Sequence, residues 1–138
     1  MILIKAVKES LSTKTRKDIG NLGEKSAAEY LKKQGFSILE RNLVRKIGEI
    51  DIVAKRHSTI HIIEVKTRLC REFPTEVTGL LYSPTDNLDA RKLHQVTRVG
   101  QWYVAEKKWE GEWQIDAVVV WLRERDSAAQ VEYLPQIA

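Results

Sequence analysis

Apolar and polar positions change period several times along the 138-residue chain. From Arg16 the segment RKDIGNLGEKSAAEYLKKQGF repeats at helical spacing, with Ala27, Ala28 and Leu31 as its buried stripe and Ile19 and Gly20 one to two turns earlier. Gly35 suits the left-handed position beyond a helix end, and Lys32 and Lys33 complement the dipole there. Alternation then predicts short strands over Phe36–Arg41, Ile47–Ala54 and Ile60–Lys66, with a polar turn over Lys55–Thr59 between the last two. Residues Cys70–Leu88 have no period and contain Pro74, Gly79 and Pro84, which predicts a long loop. A second helix is predicted from Asp89 to about Lys107, with Leu93, Val96, Gly100 and Tyr103 on one face. Trp113–Leu122 (WQIDAVVVWL) is apolar enough for a central strand, and a weak strand follows at Val131–Leu134. The order predicts one α/β domain over 16–138, an α-β-β-β-α-β sandwich on a mixed sheet. Residues 1–15 have no clear period and read as a mobile basic arm.

Four residues break the strand pattern. Glu49, Asp51, Glu64 and Lys66 lie inside runs of Ile and Val. Side chains alternate along a strand, so Ile47, Glu49, Asp51 and Val53 share one face, as do Ile60, Ile62, Glu64 and Lys66. If Lys55 pairs with Ile60, Asp51 stands opposite Glu64; a slip of one residue sends them to opposite faces. Glu24 projects from the same face of the first helix as Ala27, Ala28 and Leu31, and packing it on this patch would add a third acid. Carboxylates crowded together repel unless protonated or bridged by a cation. Oxygen donors without His or Cys select Mg²⁺ or Mn²⁺ over zinc, and a lysine beside them can stabilise charge on a phosphate. Any one of these residues alone fits a structural ion pair better; four together favour a site.

Composition narrows the classes. Hydrophobic residues make up 43% and charged residues 30%, as in a globular protein. No apolar run reaches the roughly 20 residues of a membrane helix, and no secretory leader is read at the start. The one cysteine, Cys70, excludes an internal disulfide and fits a cytoplasmic setting, and the three histidines make no zinc spacing. The net charge of +4 permits a polyanionic partner, with basic residues flanking the acidic stretch at Arg45, Lys46, Arg68 and elsewhere. Trp102, Trp109, Trp113 and Trp121 are mostly read as core.

Asp51 followed by Glu64-Val65-Lys66 resembles the PD-(D/E)XK motif of the restriction-endonuclease-like nucleases. The wider pattern is more specific: GNLGEKSAAEYLKKQGFSILERN, GEIDIVA, IIEVKTR, a Lys-containing helix and a strand ending near IDAVVV together resemble the YraN-like family of bacterial proteins over about Gly20 to Trp121. The resemblance implies an endonuclease-like fold, and metal ligands at Glu24, Asp51, Glu64 and the Val65 carbonyl. Lys66 would be the catalytic lysine, and Arg68 and Lys92 nucleic-acid contacts; Arg45 and Lys46, basic residues flanking the acidic stretch, are further candidate contacts on their charge. The chain departs from the family at TGLLYSPTDNL (78–88), which is longer than the usual link, and at Asp89-Ala90, where threonine-proline is usual. Archaeal Holliday junction resolvases have a similar layout. The implied function is Mg²⁺- or Mn²⁺-dependent hydrolysis of structured or single-stranded nucleic acid, DNA before RNA; acting on a four-way junction would need two sites and hence a homodimer. The alternative is a non-catalytic nucleic-acid-binding module on the same fold.

Overall fold

The computed structural model describes residues 2–4, 11, 14–75 and 90–138. Its elements are β1 (Ile2–Ile4), α1 (Arg16–Lys33), β2 (Ser37–Arg45), β3 (Gly48–Arg56), β4 (Thr59–Cys70), α2 (Ala90–Glu106), β5 (Glu112–Arg123) and β6 (Ala129–Leu134). Among the described residues the strands form one six-stranded sheet of order β1-β6-β5-β4-β3-β2. Its neighbours are antiparallel except β4 and β5, which run parallel and are linked by the chain segment that contains α2. The expected α/β sandwich on a mixed sheet is what forms. No helix among the described residues is long and apolar enough to cross a membrane.

Helix α1 starts at a capping box. Thr15 Oγ1 accepts the Asp18 amide at 3.1 Å, and Asp18 Oδ2 accepts the Thr15 amide at 3.1 Å. Thr15→Ala is expected to cost about 1 kcal/mol in chemical denaturation, the usual worth of such a cap. The helix ends through Gly35, whose φ of +89° lets the Phe36 amide reach Leu31 O at 2.9 Å.

The two helices cover opposite faces. Ala27, Ala28 and Leu31 of α1 pack with Ile52, Ala54, Ile63, Val118 and Val120. Val96, Val99 and Tyr103 of α2 pack with Ile50, Val53, Ile60, Ile62 and Ile115. Strand β5 lies inside the sheet with six successive buried residues, Ile115–Val120, which agrees with its apolar sequence.

Several boundaries differ from those expected. Part of the N-terminal segment read as a mobile arm contributes to the fold: Ile2–Ile4 pairs with β6, and Leu11 is buried with its amide on Glu124 O at 2.9 Å. The polar turn between β3 and β4 shortens to His57-Ser58, because Arg56 also pairs with Thr59 and His57 takes a φ of +54°. Strand β4 runs on to Cys70 because β5 pairs with it residue for residue as far as Arg123. Trp102 is 55% exposed instead of core. Of the long loop, residues 76–88 lie outside the described residues, as do Asp89 and most of the departure from the family pattern.

Candidate active site

The expected register holds: Lys55 pairs with Ile60, and the β3–β4 ladder runs up to Ile52↔Ile63. There it stops. Ile50 lies in the α2 core and Ile52 in the α1 core, although strict alternation would put them on one face. Beside this break, Asp51 Oδ2 accepts the Val65 amide at 2.8 Å, so a side chain takes over the strand connection where backbone pairing ends. Asp51 and Glu64 stand at this fork with their carboxyls within hydrogen-bonding reach of each other.

Glu64 is buried and Asp51 half-buried, both at the cost of their charge. Burial, and then the Asp51 charge, push the Glu64 carboxyl up to about 8, while Lys92 pulls the other way. Burial also raises Asp51, against the Val65 amide and Lys92. Both carboxyls are therefore pushed toward their protonated forms, and the pair titrates as a unit.

Helix α1 approaches from the other side of the fork. A cavity of about 350 Å³ opens between its first turns and the strands, lined by Arg16, Ile19, Gly20, Glu24, Asp51, Val65, Lys66, Thr67 and Leu69. Glu24 is raised by burial and then by Asp51, with Arg41 partly offsetting them. The close seat of α1 comes from Gly23: a Cβ there would fall 1.8 Å from Thr67 Oγ1. A Cβ on Gly20 would meet nothing within 4 Å, so that glycine borders open space.

The residues singled out from sequence fall into groups. Asp51, Glu64 and Lys92 meet at the fork, where Lys92 Nζ is 3.8 Å from Glu64 Oε2. Glu24, Asp51, Val65 and Lys66 share the cavity wall. Glu24 reaches Asp51 from the α1 face, while Glu64 faces Lys92 of α2. Among the described residues Lys66 makes no ion pair. Arg45 is bound to Glu106 at 3.0 Å, and Lys46 is exposed in the turn before β3. Arg68 follows Lys66 along β4 opposite Trp121 of β5.

The chemistry of these donors can be compared with a metal. Glu24 Oε1 and Glu64 Oε1 are buried without a hydrogen-bond partner, which is the condition of an acceptor left for a cation. Yet among the described residues no three His, Cys, Asp or Glu side chains stand together as a ligand set. The residues present would suit an ion that needs few protein ligands, such as Mg²⁺, with Asp51 and Glu64 as the carboxylates that would hold it.

Two features escape a reading of the sequence. Arg16 lines the cavity. A second polar cluster lies in the α1 face near Phe36: Asp116 Oδ2 contacts His61 Nδ1 at 2.6 Å and accepts from Tyr133 Oη at 2.6 Å. Asp116 Oδ1 accepts from Gln114 Nε2 and from the Gln136 amide, both at 2.8 Å. Burial alone would raise Asp116, but these bonds outweigh it and its carboxyl stays below the usual range. Asp116 within IDAVVV is the available signal, an acid in an apolar strand like Asp51 and Glu64.

The model of the uncharacterised protein family UPF0102 matches residues 23–120, from within α1 to within β5. A UPF0102 protein of Syntrophotalea carbinolica is 37% identical over 126 residues, covering 89% of this chain and 93% of its own. Another, from Moorella thermoacetica, is 37% identical over 123 residues, covering 88% and 96%. A third, from Caldicellulosiruptor saccharolyticus, is 32% identical over 120 residues, covering 86% and 95%. With the matched span containing Glu24, Asp51, Glu64, Lys66 and Lys92, the chain belongs to the UPF0102 family, the YraN-like family that its sequence resembles.

Proposed function

We propose that this protein is a Mg²⁺- or Mn²⁺-dependent nuclease that hydrolyses phosphodiester bonds in structured or single-stranded nucleic acid. The observation that carries the reading is the Asp51–Glu64 pair, a half-buried and a buried carboxyl brought together at a sheet fork beside a lysine and an open cavity. A purely structural role would pair each acid with a full cation. Here the acids mostly face each other, and Lys92 stands only at the edge of ion-pair range.

Asp51 and Glu64 would hold the ion, which supplies a polarised phosphate and a more acidic water when bound. Asp51 is fixed for this by the Val65 amide. Lys66 on the cavity wall neutralises charge that builds on the phosphate oxygens in the transition state. Arg16, at the mouth end of α1, supplies a second cation to the backbone of the substrate. Glu24 shares the wall with Asp51 and is the carboxylate placed to orient a water; its raised affinity for protons suits it to take one up.

The test is cleavage of labelled single-stranded, duplex, flap and four-way-junction DNA and of RNA, with Mn²⁺ or Mg²⁺ and with EDTA. At least one substrate is expected to be cut only with metal. Asp51→Asn is expected to abolish cutting, and Lys66→Ala to slow it by about a hundredfold. Cutting that survives EDTA or Asp51→Asn would sink the assignment. No cutting of any substrate, with binding retained, would leave a binding module in its place.

A further inference from the structure

Helix α2 meets the candidate site at its start and leaves it along an exposed face that the chemistry above does not use. Arg91, His94, Arg98 and Trp102 recur at spacings of three and four, so they form one stripe along the helix. All are exposed, while Val96, Val99, Gly100 and Tyr103 on the other side are buried. Trp102 is the largest side chain on the stripe and is 55% exposed. The helix has no acid before Glu106, and Glu106 is bound to Arg45. Among the described residues neither Arg91 nor Arg98 makes an ion pair. The stripe begins beside Lys92, whose ammonium reaches Glu64, and Trp102 lies about 15 Å further along the axis at the usual rise per residue.

We propose that this stripe is a track for single-stranded nucleic acid, with a base stacked on the Trp102 indole and backbone phosphates on Arg98 and Arg91. An indole face on a cationic, acid-free ridge matches both parts of such a strand. A duplex would gain less, because its bases already stack on each other and leave only phosphates for the arginines. The direction of the track, toward Asp51 and Glu64, rests on the nuclease reading; the binding itself does not.

The experiment is fluorescence anisotropy in EDTA, with labelled oligothymidylate, oligouridylate and a duplex of equal length. Wild type is expected to bind the single strands more tightly than the duplex, and the two single-stranded probes separate DNA from RNA preference. Trp102→Ala is expected to weaken single-strand binding about tenfold, and Trp102→Phe to retain most of it. Arg98→Ala is expected to weaken binding and lower the salt slope by about 0.7. These positions are exposed, and unchanged melting temperatures would confirm intact folds. Three results would overturn the track: no binding of single strands by wild type, Trp102→Ala binding as well as wild type, or Trp102→Ala changing only the molecular mass in solution, which would make the stripe a contact between copies. Metal-dependent cutting with unaltered Trp102→Ala binding would remove the track and leave the nuclease. Stacking on Trp102 without cutting by wild type would do the reverse.

Discussion

In EDTA at pH 8, Glu64→Gln is expected to melt several degrees above wild type, and at pH 5 to melt with it. Glu64 is pushed up to about 8 in the folded protein from an ordinary value of 4.5, by burial first and Asp51 second. An acid with a raised folded value keeps a proton that the unfolded chain has released. Stability therefore falls as pH climbs from about 4.5 to about 8, by a few kcal/mol in all. Glutamine has the shape of the neutral acid and can still donate to Asp51, so it escapes the loss. Mn²⁺ is expected to raise the melting temperature of wild type at pH 8 and that of Glu64→Gln much less, because binding to the fold stabilises by mass action. At pH 5 the proton competes and the metal-induced rise shrinks. Equal destabilisation of Glu64→Gln at both pH values, with no Mn²⁺ effect on wild type, would mean that Glu64 is architecture.

Gly23→Ala is expected to lose about 3 kcal/mol, the upper range of overpacking, and roughly 10 °C in melting temperature. The new methyl would overlap Thr67, 1.8 Å from Oγ1 and 2.8 Å from both Cβ and Cγ2. Turning the threonine relieves the first contact and leaves the Cβ contact, so α1 itself must lift. The better helix propensity of alanine, about 1 kcal/mol, offsets only part of this. Gly20→Ala, with open space around it, is the control and is expected to be neutral or slightly stabilising. Thr67→Ala removes two of the three close atoms, so the double variant should recover part of the loss. If Gly23→Ala and Gly20→Ala melt alike, α1 does not sit on β4 as described. Lifting α1 would also withdraw Glu24, next in sequence, from the cavity it shares with Asp51.

Much of the sheet is legible in the sequence because its strands carry their own pattern. The β3–β4 turn joins neighbours in sequence, so few registers compete, and the one in which Lys55 meets Ile60 is the one that forms. Strand β1 cannot be found that way: its three residues pair with a strand more than a hundred residues distant, and nothing local marks them. The site is half legible. Alternation places Asp51 opposite Glu64 but predicts nothing of the break at Ile50–Ile52, which depends on where two antiparallel strands part. The pattern also places Glu24 on the core face of α1, but not which sheet face that helix covers. It covers the face away from Val53, Ile60 and Ile62, so Glu24 meets Asp51 across the fork and does not sit over Glu64. Trp102 lies off the Leu93, Val96, Gly100 and Tyr103 face that the helical period assigns to the core, and its exposure follows from that period and not from the usual burial of aromatic residues.

The Val65 amide is held by a carboxylate, whereas most strand amides are held by backbone carbonyls. Its solvent exchange therefore follows the motion of a side chain and not only the opening of the sheet. If Asp51 swings to meet a ligand, the Val65 proton should exchange faster while its neighbours at Ile62 and Ile63 stay protected. If a ligand clamps Asp51 in place, exchange at Val65 should slow and leave theirs unchanged. One backbone proton is thus a built-in gauge of what the carboxylate is doing, readable without any substrate.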